Sequence, residues 1–139
     1  MSLNLIGQSI VSLTFEKESV SIRYLDGSTE KIELPKGLEI LNCSKNQLTT
    51  LKGLPEGLKK FYCAYNQFTT LEGLPEGLED LEYSANLLAS LEGLPKGLKE
   101  LWCSNNQLTI LENLPGGLKR LWCHNNSNLT YVEPSPNFK

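Results

Sequence analysis

A single histidine, His124, stands in 139 residues, which excludes a metal centre built from several imidazoles. Positive charge is also scarce: thirteen Lys and Arg against sixteen Asp and Glu leave a net charge of −3. Lys and Glu alternate along the chain, so the clustered basic footprint of non-specific nucleic-acid binding is missing. No run approaches the ~20 apolar residues that span a bilayer. Residues 1–15 lack a basic leader region, and Asn4, Gln8, Ser9 and Ser12 interrupt their apolar residues, so they read as structure, not a secretory signal. Cysteine is limited to four, all at one repeat position, which a disulfide framework would not require. They read as buried free thiols, and that points to the cytoplasm or another reducing compartment.

What the chain does have is repetition. Leu38, Leu58, Leu78, Leu98 and Leu118 each open a copy of the same phrase. Three residues on stand Leu41, Phe61, Leu81, Leu101 and Leu121, then Cys43, Cys63, Tyr83, Cys103 and Cys123, then Asn46, Asn66, Asn86 and Asn106. A fixed period of this length is the mark of a solenoid, whose copies bury their apolar faces only against one another. The run Lys60-Phe61-Tyr62-Cys63-Ala64 alternates with period two and predicts a short strand, with Phe61 and Cys63 inward and Lys60, Tyr62 and Ala64 outward. Stacked copies then form a parallel sheet with strands ~4.8 Å apart. The asparagine closing each strand can satisfy backbone groups of neighbouring turns. Pro75 and Gly77, with their counterparts, punctuate the return and leave no room for a multi-turn helix, so the convex side should be extended or a single tight turn. In the fifth copy an extra residue leaves the asparagine register open between Asn125 and Asn126.

The expected architecture is therefore a mainly β solenoid: an arc with a parallel β-sheet on the concave face, a non-helical convex side and an N-terminal β-hairpin cap. Residues 1–37 are assigned to that cap, 38–132 to about five repeats, and 133–139 to a C-terminal tail. Within the cap, segments 10–15, 19–24 and 29–34 are strand-like, and Asp26-Gly27 is a hairpin signal, so two consecutive hairpins should lie against the first repeat. At the other end Tyr131, Val132 and Phe138 are placed to fold back over Leu121 and Cys123 as a minimal cap. The alternatives are that this end meets a partner or continues into a longer array.

The pattern L-x-x-L-x-C-x-x-N-x-L-x-x-L-x-x-L-P-x-x, as in residues 98–117, resembles the leucine-rich repeat. The short length and the pairs Leu54-Pro55, Leu74-Pro75, Leu94-Pro95 and Leu114-Pro115 are most similar to the repeats of secreted bacterial effectors of the YopM and IpaH type. This resemblance implies a parallel-sheet arc that binds protein on its concave face, and it leaves delivery into a host cell open. The chain departs from those effectors in beginning with β-like rather than helical sequence, and it holds nothing the size of the ubiquitin-ligase domain that IpaH-type proteins carry.

Alternation assigns the concave wall. Its middle column reads Asn42, Tyr62, Glu82, Trp102, Trp122, flanked by Ile40, Lys60, Asp80, Glu100, Arg120 on one side and Ser44, Ala64, Ser84, Ser104, His124 on the other. Outward aromatics and Arg are enriched at binding hot spots, so Lys60, Tyr62, Glu82, Trp102, Arg120, Trp122 and His124 are the candidate partner-binding residues. The competing account of Trp102 and Trp122 is that they stack across neighbouring strands and only stabilise the sheet. Lys119, Arg120, Trp122 and His124 form a basic, aromatic corner that could clamp a phosphate or hold a sugar. Asp80, Glu82 and Glu100 on the same wall favour a protein partner instead.

Catalysis finds little support. Ser104 falls beside His124, yet no acid is placed to orient that imidazole, and Glu82 and Glu100 sit on an open wall without a pocket to raise a carboxyl pKa. The reading is a non-enzymatic interaction module with no cofactor and no metal, binding one protein and no membrane. The alternative is self-association through the C-terminal repeat or a segment of a longer array, and after it a glycan- or nucleotide-binding module.

Overall fold

The computed structural model describes residues 1–132, with the side chains of Tyr131 and Val132 outside that description. In chain order its strands are β1 (Ser2–Asn4), β2 (Ile10–Phe15), β3 (Ser19–Tyr24), β4 (Thr29–Glu33), β5 (Ile40–Asn42) and β6 (Leu51–Lys52). They continue as β7 (Lys60–Tyr62), β8 (Asp80–Glu82), β9 (Glu100–Trp102), β10 (Ile110–Leu111), β11 (Arg120–Trp122) and β12 (Tyr131–Val132). Among the described residues there is no helix, and hence none long and apolar enough to cross a membrane.

The period of twenty becomes a parallel sheet in the order β1-β5-β7-β8-β9-β11. Its register repeats without a slip: Leu41 lies beside Phe61, Phe61 beside Leu81, Leu81 beside Leu101, and Leu101 beside Leu121. Each strand sends its central residue inward, and the Cys position two residues later follows it, so Leu41, Cys43, Phe61, Cys63, Leu81, Leu101 and Cys103 are fully buried. Tyr83, which stands at the Cys position of the third copy, is also buried and packs edge-on to Phe61 at 6.3 Å between ring centroids. The column thus absorbs a larger side chain beside an aromatic neighbour rather than opening a void.

Three residues beyond each strand of this sheet the chain turns through a left-handed residue: Gly7, Lys45, Tyr65, Ala85, Asn105 and Asn125 all have φ between 55° and 63°. For Tyr and Ala this region is costly, and the next residue holds the turn in place. Asn66 Nδ2 donates to the carbonyls of Cys63 (3.1 Å) and of Cys43 in the preceding repeat (3.0 Å). Its Oδ1 accepts from Leu48 N at 3.0 Å. Asn46, Asn86 and Asn106 repeat this clamp, and in the fifth copy Asn126 makes it, which settles the register against Asn125. The return side is extended: Leu58, Leu78, Leu98 and Leu118 each donate their N–H to the carbonyl of the proline three residues earlier, closing a tight turn before the next strand.

The N-terminal hairpins form as expected, β2 antiparallel to β3 and β3 to β4. They join the return side through β2, which runs parallel to β6. Gly53 allows this close approach: a Cβ there would lie 2.5 Å from the Phe15 carbonyl oxygen, and its φ is +73°. One element departs from the sequence reading. The first residues belong to the main sheet, since β1 pairs in parallel with β5, Leu3 beside Leu41. Leu5 is buried, and Asn46 clamps this segment as the other asparagines clamp theirs, donating to Leu5 O and accepting from Ile10 N. Leu3, Leu5, Gln8 and Ile10 thus occupy the positions of Leu41, Cys43, Asn46 and Leu48. Gln in place of Asn, and the 38-residue gap to the next copy, hide that rung from a search for period twenty.

At the far end β12 pairs in parallel with β10. The proposed cap from Phe138 and the rest of 133–139 lies outside the described residues.

Candidate interaction surface on the sheet wall

The outward side chains of the sheet stand in columns because the strands are parallel and in register. The central column is Asn4, Asn42, Tyr62, Glu82, Trp102, Trp122, and one flank is Ser2, Ile40, Lys60, Asp80, Glu100, Arg120. The wall is therefore one strand wider than the repeat period indicated. The signal for the addition was the triplet Leu3-Asn4-Leu5, which matches Leu41-Asn42-Cys43.

Trp102 and Trp122 stack face to face, ring centroids 4.5 Å apart and planes inclined by 2°. Trp102 is half-buried while Trp122 retains 36% of its surface. Both accounts of the pair are compatible with this geometry, since the stack stabilises the sheet and still presents an apolar face to solvent. Tyr62 is half-buried, and that burial is the main reason its phenol is held above its ordinary pKa of 10.0; Lys60 acts in the opposite sense.

The flanking charges are largely spent within the molecule. Lys60 Nζ lies 2.9 Å from Asp80 Oδ2, and Arg120 Nη1 lies 3.4 Å from Glu100 Oε1. The hydrogen bond to Asp80, followed by its charge, raises the Lys60 pKa above the ordinary 10.5. The basic corner at Arg120 is thereby partly neutralised. Glu82 stands differently. Its Oε1 accepts the Ser84 N–H at 2.9 Å, and no cation pairs with it among the described residues.

On the second flank Ala64 and Ser104 are buried, so this column contributes less surface than alternation suggests. Ser104 Oγ lies 2.9 Å from Nδ1 of the exposed His124. No carboxylate is hydrogen-bonded to His124 among the described residues, so the pair lacks the third group that orients a general base. The thiols face the core. Burial pushes Cys43, Cys63 and Cys103 well above the ordinary 9.0, and Cys123, half-buried, is raised less strongly for the same reason. A protonated buried thiol is a poor nucleophile and a poor metal ligand. Among the described residues no group of three His, Cys, Asp or Glu is placed to hold a metal ion.

Among solved structures, the chain is similar to the leucine-rich-repeat domain of a Shigella effector. The identity is 43% over 64% of this chain and 40% of that one, with a TM-score of 0.58. It is also similar to YopM from Yersinia enterocolitica, at 25% identity over 78% of this chain and 33% of that one, with a TM-score of 0.56. The chain spans less than half the length of either structure. No protein-family model matches it, and no curated protein does. The fold is a leucine-rich-repeat β-solenoid of the short, effector-like type, a protein-interaction repeat architecture.

Proposed function

We propose that this chain is a non-enzymatic interaction module that holds a protein partner on the outward face of its parallel sheet. Tyr62, Trp102 and Trp122 are its anchors, Lys60, Glu82 and Arg120 set the charge register, and His124 lies at the margin. The observation that carries this reading is the Trp102–Trp122 stack, a rigid apolar platform on the solvent side of a sheet whose other face already holds the core. Aromatic platforms of low conformational entropy, rimmed by paired charges, are what interface hot spots are made of. The effector-like repeats of the structural neighbours support the same class of function, and the buried free thiols suit a reducing compartment.

A random-peptide display library retained by the wild-type chain, and released when Trp102→Ala and Trp122→Ala are combined, is the expected result. The double variant should keep a cooperative melt. Retention that is unchanged, or that falls only as far as the fold itself does, would refute the assignment.

A second reading has one specific observation behind it. Leu121, Cys123 and Leu129 on the rung of β11 are only half-buried where their counterparts in earlier rungs are fully buried. A second copy docking there would complete them. Light scattering under reducing conditions separates the two: a mass near 15.5 kDa at every concentration removes self-association, and a rising mass makes this rung the principal interface.

A further inference from the structure

We propose that the outward position of β8 is a recognition slot for an arginine side chain of the partner, with Glu82 as its floor and Tyr62 and Trp102 as its walls. The inference rests on the reading of the sheet wall as the partner surface and adds to it what the partner must carry.

The first ground is charge. Along the central column Glu82 is the only formal charge, between Tyr62 on one neighbouring strand and Trp102 on the other. The cations nearest in the flanking column are already engaged, Lys60 by Asp80 and Arg120 by Glu100. Glu82 spends one carboxylate oxygen on the Ser84 N–H, a neutral donor, and that bond fixes the side chain without cancelling its charge. A half-buried carboxylate in this state is complementary to a cation and repels phosphate or any acidic segment.

The second ground is spacing. Tyr62 and Trp102 are two strands apart, about 9.6 Å at ordinary sheet spacing, so a group centred over Glu82 has an aromatic residue about 4.8 Å to either side. A cation over an aromatic face is attracted within about 6 Å of the ring centre. The stack behind Trp102 holds that indole against Trp122, so the wall on this side is already ordered before a ligand arrives. Arginine fits better than lysine: its guanidinium is planar, stacks on aromatic faces, is weakly hydrated and forms directed hydrogen bonds to carboxylate.

The test uses the full chain and two probes. Peptides retained from the random library in a Trp102- and Trp122-dependent manner should be enriched in arginine, and Glu82→Gln, which keeps the shape and removes the charge, should abolish the enrichment. On the wild-type chain, an arginine-bearing peptide chosen this way should bind about tenfold more tightly than the same peptide with neutral citrulline in place of arginine. The citrulline comparison does not depend on any variant folding. Trp-dependent retention with no arginine enrichment, or equal binding of the two peptides, overturns the slot and leaves the wall intact as an interface. No Trp-dependent retention at all overturns the reading of the wall, and the slot with it.

Discussion

The two ends of this solenoid are built from the same residue types and end in different states. At the N-terminal end Leu5, Ile10, Leu13, Val20 and Ile22 are buried beneath and within the β2–β3–β4 hairpins. On the rung of β11, Leu121, Cys123 and Leu129 keep part of their surface in solvent, although Leu41, Cys43 and Leu48 at the matching positions keep none. In a repeat protein a side chain's burial comes from the rung on either side of it, so one sequence position has several energies. The clamp shows the same asymmetry: the Asn66 bonds to Cys43, Cys63 and Leu48 are all buried, whereas Asn126 bonds Cys123 in a part-buried setting.

That contrast can be broken by substitution. The largest expected effect is in the core of the hairpin cap: Leu13→Ala should cost about 3–4 kcal/mol, and Leu121→Ala about half of that, because a half-buried site loses less transfer energy and leaves a smaller cavity. Denaturant titration of the two variants measures the difference, and equal losses would mean the rung of β11 is as fully packed as the hairpin cap. Next comes glycine. Gly53 and Gly73 occupy the same repeat position with φ of +73° and +85°, but only Gly53 backs onto the Phe15 carbonyl. Gly73→Ala should cost about 1 kcal/mol for the left-handed backbone alone, and Gly53→Ala clearly more, since a backbone atom must also move. Thermal melts of the pair would sharpen or erase the distinction.

Of the same order as Gly53→Ala is the clamp. Asn66→Ala leaves the buried Leu48 N–H without its acceptor and removes one of two asparagine donors from each of the Cys43 and Cys63 carbonyls, and should cost about 2 kcal/mol, with Asn126→Ala below it. Hydrogen exchange at Leu48 N–H and Leu108 N–H reports each clamp directly, through the bonds these amides give to Asn66 and Asn126. The smallest effect is in thiol chemistry. Native-state labelling at neutral pH should modify Cys123 well before Cys43, Cys63 and Cys103, which are buried and hold their protons. The same shifts set an alkaline limit. The folded pKa values of these thiols and of Tyr83 lie above their ordinary 9.0 and 10.0, so above pH 9 the unfolded chain has lost protons that the native chain retains. Stability is then complete below that pH and falls as pH rises. A melting temperature unchanged between neutral pH and strongly alkaline solution would contradict the burial of the thiols.

The repeat phase, the inward and outward alternation, the asparagine clamp and the two hairpins were all readable from spacing, because each is a local pattern repeated at fixed distance. The wall columns followed from the same alternation. The rung containing β1 was not readable, because Gln8 stands where the other copies have Asn and an insertion of hairpins lengthens the interval. The fifth clamp was ambiguous between Asn125 and Asn126 because both residues fit the spacing. The bonds that Asn126 makes to Leu108 N–H and to the Cys103 and Cys123 carbonyls, with Asn125 taking the left-handed backbone position, separate them.

Sequence alone carried the information that repeats, since a period of twenty dictates which atoms must recur and a parallel sheet in register is the arrangement that buries them together. The state of each wall residue depended on its neighbours across strands. Lys60 meets Asp80, Arg120 meets Glu100, Ser104 meets His124 and the two indoles close into a stack. Pairings between residues twenty positions apart turn on rotamer and distance. Register brings such residues alongside one another, while packing selects which of them bond and leaves Glu82 with its charge unmatched.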